Sequence, residues 1–576
     1  MPHQRKNQRK RTAIEVPEPP PPMQKRDWIL LGALILIYSL IAFHNLGNFH
    51  SPVTTWIMEE SILEPEPAYF ALDGVEFVSR FQFMNGGRHH TPFNLYASND
   101  GDDWRLVHSI RNIEVFRWYE FSVNEYAQFF RIQPETNRLR LQEVAFRGVD
   151  DRLLPVTSTV EALVDEQHLV PERRTFMNST YFDEIYHPRT GYEFVHGLAA
   201  CGNTTVFEWT HPPMGKNFIA MSVAAFGMTP FAWRLPGTLF GIFMIPLLYF
   251  FARDLLKSNG FALFAAFIFT FDFMLFAQTR LATIDTYVVF FVIAMYFCMY
   301  RYIIGMEANT LKRSLTWLAL CGVMMGFAIA SKWQGVYGAL GLPILFFPAL
   351  YKLYLRDLKQ AKTIFFACFA FFIAIPLAIY VLSYIPFVRA TGWDWTSIWR
   401  NQQMMFRYHD GLTETHSGSS RWWQWPLLIR PLWLYVTHHV LGSVQGIMVT
   451  MGSPAVWWFG IPITIFAIFM AFKKWNEGKT DYALIFLLVG YAAQFIPWIP
   501  VSRITFIYHY FPSVPFVVII IAWVFKNYIH KSIAFVYSAL VLALFVLFYP
   551  VLSGVPTSID YISTYLRWFE SWFHWL

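Results

Sequence analysis

Apolar residues run almost unbroken for about 20 positions at a time along this chain, the helix length that crosses roughly 30 Å of hydrocarbon. Such runs lie near residues 28–46, 234–252, 260–277, 284–303, 314–330, 335–352, 363–386, 454–472, 481–500, 504–525 and 532–552. Eleven spans put the two termini on opposite sides of a membrane. Every second connection is basic: "RDLLKSNG", "RYIIGMEANTLKRS", "YKLYLRDLKQAK", "KKWNEGKT" and "KNYIHK". The positive-inside rule places these loops and the "RKNQRKR" start in the cytoplasm. Two long segments, 47–233 and 387–453, then face outward, and the chemistry is expected there. The connections "QTRLATID" and "SKWQG" are short outer turns. The expected order is a basic, Pro-rich cytoplasmic tail (1–27), a first transmembrane helix (28–46) and a first extracytoplasmic segment (47–233). Helices two to seven (234–386), a second outer loop (387–453), helices eight to eleven (454–552) and an external tail (553–576) follow.

The first run, "WILLGALILIYSLIAF", has no small-residue cleavage site, and "PEPPPP" separates it from the basic start, so it reads as an uncleaved anchor. The external tail "GVPTSIDYISTYLRWFESWFHWL" is amphipathic and aromatic, suited to the membrane surface or to a partner.

Residues 67–148 break the pattern. They are rich in charge, and short alternating runs such as "FNLYAS", "YEFSV" and "FFRIQ" are separated by turn signals such as "SNDGDDW". This predicts an extracytoplasmic β-sandwich of antiparallel strands with its own core, either a binding module or a plain spacer.

Composition agrees with a polytopic membrane protein. The 576 residues are 55% hydrophobic, 19% aromatic and only 15% charged, with a mean hydropathy of +0.34. The net charge of +6 lies in short clusters, which argues against a nucleic-acid partner. Cys298, Cys321 and Cys368 fall in apolar runs and leave Cys201 alone, so neither a disulfide framework nor metal-ligand spacing follows.

The candidate chemistry lies after the β insert. "YFDEIYH" sets Asp183 and Glu184 side by side among aromatics, with Trp209, His211 and Lys216 shortly after. Neighbours on a regular element face different ways, so one acid is expected to face a cavity and the other to bond the scaffold. Separate roles also avoid the repulsion of two carboxylates in one site. The apolar stretch from Phe218 to Phe226 is too short to span and is expected to lie along the outer surface. The histidines at 187, 196 and 211 fit no standard metal spacing, which favours a hydrogen-bonded His211 over a ligand. Asp285 reads as a helix cap or an anchor for Arg280.

"YFDEIYH", "HPPMGK", "WRLPG", "SKWQG", "SGSSRWWQWPLLIRP", "SPAVWWFG" and "FIYHYFPSVPF" resemble, in this order, the motifs of the protein O-mannosyltransferase family. The likeness runs over about residues 180–525. It implies a polytopic α-helical membrane protein of GT-C glycosyltransferase architecture, of the bacterial branch because the second outer loop has no MIR domain. The insert, through "FNLYASNDGDDWRLV…WYEFSV…AQFFRIQPE…LRLQEVAFRG", is similar to the discoidin (factor type C) jelly-roll module. The family likeness implies transfer of mannose, with inversion, from polyprenyl-phosphate mannose to Ser or Thr hydroxyls of exported polypeptides at the outer face of the plasma membrane. It names no obligatory metal or cofactor. Partners would be the lipid donor, the unfolded polypeptide acceptor, membrane lipids and the secretion machinery; relatives often work as dimers.

The motif match gives Asp183 the role of catalytic base, with Glu184 beside it. The leaving lipid phosphate needs cations at the interface. Arg234 and Lys332 suit this by motif and depth, with Lys216, Arg280 and Arg503 behind them; each could instead be a snorkelling cation. His211, Arg421, Trp422, Trp423 and Trp425 are candidate substrate-lining residues, and the tryptophans equally suit an interfacial belt. A GT-C transferase using another sugar, or acting on a lipid or cell-wall glycan, is the alternative. A transporter or scaffold would place polar groups at mid-membrane or show inverted repeats, and neither is visible.

Overall fold

The computed structural model describes residues 19–58, 66–88, 92–136, 138–306, 310–438 and 444–573. The basic run at the chain start and the last three residues of the tail lie outside them. All eleven apolar runs form helical segments, since a backbone in hydrocarbon must bond within itself. The first helices are α1 (Lys25–Phe43), α2 (His187–His196), α3 (Met214–Phe226) and α4 (Pro230–Leu256). The third run is broken: α5 (Asn259–Thr270) and α6 (Phe273–Thr279) meet at 57°. Asp272 causes the break, its carboxylate accepting from Met274 N and Ser453 N, both at 3.1 Å. Next come α7 (Asp285–Gly305), α8 (Leu311–Ser331), α9 (Gly335–Arg356) and the long span Leu358–Ala390. Helix α10 (Thr396–Gly411) lies in the second large connection, which ends in a hairpin of Leu432–His438 with Val444–Thr450. Four spans close the bundle: α11 (Pro454–Asn476), a shorter helical stretch Tyr482–Trp498, the helical span Ile507–Tyr528 and α12 (Lys531–Ser553). The span 507–528 is buried all round and forms the bundle's axis. The basic connections share one end of the bundle: Arg253 reaches Pro21 O, Lys526 reaches Leu256 O and Arg356 reaches Met306 O. The β insert is at the other.

The strands of the insert pair into one connected antiparallel sheet that curls over its own core. Its strands are β1 (Trp56–Ile57), β2 (Ala68–Asn85), β3 (Phe93–Ser98), β4 (Arg105–Ile110), β5 (Arg117–Pro134), β6 (Arg140–Arg147) and β7 (Val156–Ser158), ordered β1-β6-β2-β5-β3-β4 with β7 on β2. The runs "YEFSV" and "FFRIQ" belong to the single strand β5, because no turn interrupts their alternation. Bulges let β2 and β5 bend around an apolar core that includes Phe70, Phe81, Phe83, Phe93, Phe130 and Phe146. Strands β1 and β7 carry the sheet beyond residues 67–148 on both sides. The C-terminal tail folds back on the bundle: Trp572 is buried, donates to Leu428 O at 2.6 Å and packs on Trp458.

Candidate active site

Asp183 and Glu184 share one 3₁₀ turn, Phe182–Ile185, and point apart. Glu184 is fully buried. Its Oε1 accepts from Arg234 Nε at 2.7 Å and Ala282 N at 3.2 Å, and its Oε2 accepts from Arg234 Nη2 at 2.7 Å. The same guanidinium donates to Leu46 O at 2.8 Å and Ser179 O at 3.1 Å. Four of the five N–H groups of Arg234 are committed to these buried acceptors, so the pair Arg234–Glu184 is bonded to the scaffold rather than left open as the expected phosphate ligand and catalytic acid would be. Together they pin the turn to α4.

Asp183 is the other half of the pair. Its carboxylate has no hydrogen-bond or ion-pair partner among the described residues, and it is only partly covered. Burial, reinforced by Asp285, pushes the carboxyl up to about 7, while Lys332 works in the opposite direction. The preceding residue, Phe182, has φ +48°, a left-handed conformation that costs a non-glycine residue energy.

The cations divide by their commitments. Lys332, at the end of α8, donates to Asp285 Oδ1 at 2.8 Å and lies 5.5 Å over the Tyr508 ring. An ammonium has three donors, and the other two of Lys332 have no partner among the described residues. Asp285 therefore anchors Lys332, not Arg280. Arg280 instead donates to Ala42 O at 3.0 Å and to His44 O and Asn45 O at 2.8 Å each, closing the C-terminal end of α1, where helical carbonyls lack partners. Lys216 is buried against Glu208, with further bonds to Glu208 O at 2.7 Å and His211 O at 2.8 Å. Lys216 is thus committed to Glu208 and the nearby main chain, whereas Arg280 is anchored through Nε and Nη2 while its Nη1 makes no hydrogen bond among the described residues. Arg503 is half-buried with a single main-chain bond, to Ile504 O at 3.3 Å, and lies near Tyr508 and Tyr408.

Glu208, which the sequence reading passed over, organises the floor of the site. His211 Nδ1 lies 3.1 Å and His187 Nδ1 3.9 Å from its carboxylate. Burial opposes its charge, but Lys216 and His211 outweigh that and hold its carboxyl well below the usual range. Burial also lowers the His211 imidazole, partly offset by Glu208. The acid was visible in "FEWTHPP", three residues before His211 and eight before Lys216.

Of the tryptophan-rich turn, Trp425 is buried and supports His509 from behind, with rings stacked 5.9 Å apart, so it does not line a cavity. Trp422 packs on Phe495, whereas Arg421 and Trp423 are exposed. Tyr508, in "FIYHYFPSVPF", is a site residue that sequence reasoning quoted without a role: it packs on Phe182 and sits beneath Lys332.

An acid without a partner among the described residues, beside cations with uncommitted donors at one end of an apolar helical bundle, fits the class that the fold defines: a polytopic membrane glycosyltransferase of GT-C architecture. The fold matches the S. cerevisiae protein O-mannosyltransferase Pmt1-Pmt2 complex bound to the sugar donor, with a TM-score of 0.60 at 13% identity over 68% of this chain and 89% of that one. Two family profiles match in tandem: dolichyl-phosphate-mannose-protein mannosyltransferase over residues 178–388, and the C-terminal four-transmembrane region of protein O-mannosyltransferase over 394–572. The chain belongs to the protein O-mannosyltransferase family. Among its relatives, the polyprenol-phosphate-mannose–protein mannosyltransferase of Mycolicibacterium smegmatis is 25% identical over 466 residues, covering 68% of this chain and 87% of that protein. The Corynebacterium glutamicum protein of the same name is 24% identical over 493 residues, covering 73% and 90%.

Proposed function

We propose that this protein moves mannose from a polyprenyl-phosphate donor to Ser or Thr hydroxyls of exported polypeptides, with the β-domain end of the bundle facing the extracytoplasmic side of the plasma membrane. The observation that carries this reading is the contrast between Glu184, wholly bonded, and Asp183, partly covered and without a partner among the described residues, beside Lys332. An acid held near pH 7 is matched to accept a hydroxyl proton. As that proton passes to Asp183, the acceptor oxygen bonds to the anomeric carbon, and the bond from that carbon to the phosphate oxygen breaks on the opposite face. This inverts the centre and releases polyprenyl phosphate. The charge developing on the phosphate meets Lys332 and Arg503, whose donors beyond one bond each have no partner among the described residues. A lipid-linked sugar brings its head group to the end of the bundle while its tail stays in hydrocarbon. The names of the relatives support both the sugar and the protein acceptor. The test is transfer by purified protein from polyprenyl-phosphate mannose to a Ser/Thr peptide, read by mass spectrometry, together with the exported proteins of cells with and without the gene. Hexose on serine or threonine that disappears with the gene is expected. Another sugar, or a lipid or wall-glycan product, would replace this reading.

A further inference from the structure

The β insert meets the segment leading into Asp183 at two levels: Arg80, Gln82 and Arg147 donate to the carbonyls of Pro171 and Glu172, and nearer the acid the residues around the start of β5 reach Ser179 and Thr180. Thr180 Oγ1 donates to Val115 O at 2.9 Å, and Thr180 N donates to Phe116 O at 3.2 Å. Trp118 N donates to Ser179 Oγ at 3.1 Å. Ser179 and Thr180 are both buried. The Phe116 ring reaches over to Tyr192 of α2, 5.2 Å between centroids. A second contact lies beside it: a Cβ on Gly87 would stand 2.5 Å from Cys201 Sγ, so the insert's backbone touches the segment after α2 with no room to spare.

The consequence concerns the turn. Thr180 is tied to the insert, Glu184 is tied to Arg234 of α4, and the strained residue Phe182 lies midway between them. A left-handed phenylalanine persists only where its surroundings over-determine it. Here both flanks are fixed two residues away, one by the β sheet and one by the membrane bundle. Neither alone spans the turn.

We propose that the β insert is part of the catalytic scaffold: the Ile113–Trp118 stretch holds Ser179 and Thr180, and thereby positions Asp183 under its cover. The insert is neither a spacer nor an appended module, and Thr180 and Ser179 are positioning residues. This rests on Asp183 being the base. The charged and titratable groups in reach of that carboxyl are Asp285, Lys332, Glu208 and Glu184, with Tyr186, Tyr408 and Tyr508 close by, and none of these belongs to the insert. The insert's influence is therefore mechanical: it keeps the turn closed over the acid.

The test uses the full-length protein, measuring kcat, donor KM and the pH dependence of sugar transfer to a Ser/Thr peptide. Thr180→Val deletes the hydroxyl bond at constant shape. It is expected to lower kcat about tenfold, as sub-ångström misplacement of a reacting group does, with donor KM within about twofold. It should also move the acid limb to lower pH, because water reaching Asp183 favours its charged form. Thr180→Ser restores the hydroxyl and should restore both values. Gly87→Val pushes the insert off at its second contact and should reproduce the Thr180→Val signature. Ser109→Ala removes a bond to Asn94 Oδ1 in the edge hairpin β3–β4, away from the docking contacts, and should change neither value. Wild-type kcat and acid limb in both Thr180→Val and Gly87→Val would overturn the proposal. So would a fall in kcat matched by loss of folded protein with the limb unmoved. Failure of the wild type to use mannose would instead count against the proposed sugar, and the same variants would then be read with the sugar it does transfer.

Discussion

Replacing Arg234 with methionine separates a residue that holds the turn from one that meets the donor. The guanidinium makes two 2.7 Å bonds to Glu184, with 1% of Arg234 and none of Glu184 exposed. Removing one partner of such a pair strands the other charge in a dry site, at about 3–5 kcal/mol. The carbonyls of Leu46 and Ser179 lose their donor as well, at about 1–3 kcal/mol each when left unsatisfied. The loss, about 5 kcal/mol or more, is comparable with the whole stability of many domains. A large drop in the temperature at which the detergent-solubilised protein loses monodispersity is expected, with transfer lost in proportion to the folded fraction. The double variant Glu184→Leu/Arg234→Met removes both charges and should recover about 3 kcal/mol, because a buried pair is often replaceable by apolar groups of similar volume. It should not recover everything, since Ala282 N and the two carbonyls stay unpaired. An Arg234→Met protein that melts like the wild type but shows a raised donor KM would refute this reasoning and return Arg234 to the phosphate.

Asp183→Asn should reduce transfer by about 10²–10⁴-fold, the range for loss of a general base, without lowering the melting temperature, because no bond of the carboxylate is lost; retained turnover would remove the base assignment. The wild-type rate should rise with pH through about 7, since the raised carboxyl must lose its proton to accept another; an acid limb near pH 4 would mean that an ordinary exposed carboxylate, or no carboxylate, limits the rate. Arg503→Ala should raise donor KM about tenfold and leave the melting curve in place, because the side chain makes one main-chain bond; unchanged KM would leave Lys332 as the sole phosphate cation.

The apolar helices and the acid pair were legible in the sequence, as was the β insert; nine of the described helices are long enough to cross a membrane, the third run is a bent pair and Tyr482–Trp498 is shorter. Hydrocarbon permits only helices here, so long apolar runs have one solution, and alternation with turn residues marks strands locally. The break between α5 and α6 was also written there, as Asp272 inside an apolar run, and was read past. The division of labour between Asp183 and Glu184 followed from their adjacency alone, but their partners did not. Arg234, Lys216 and Arg280 sit at the same end of the bundle as Lys332 and Arg503, with the same charge and comparable motifs around them.

What the sequence by itself determined is the class of molecule and the neighbourhood of its chemistry, because solvent preference and short-range geometry act on residues close together in the chain. Which cations remain free to meet a substrate was decided only when distant segments came together. Glu184 found Arg234 fifty positions away, and Asp285 found Lys332 rather than Arg280. The strong distance dependence of electrostatics at low dielectric, together with the cost of leaving a buried charge unpaired, makes each pairing exclusive. Tertiary structure thereby left Asp183, beside these pairs, without a partner among the described residues. The bridging of the β insert to Thr180 belongs to the same level, since contacts between residues 115 and 180 depend on how a curled sheet meets a helix bundle and leave no periodic trace in either segment.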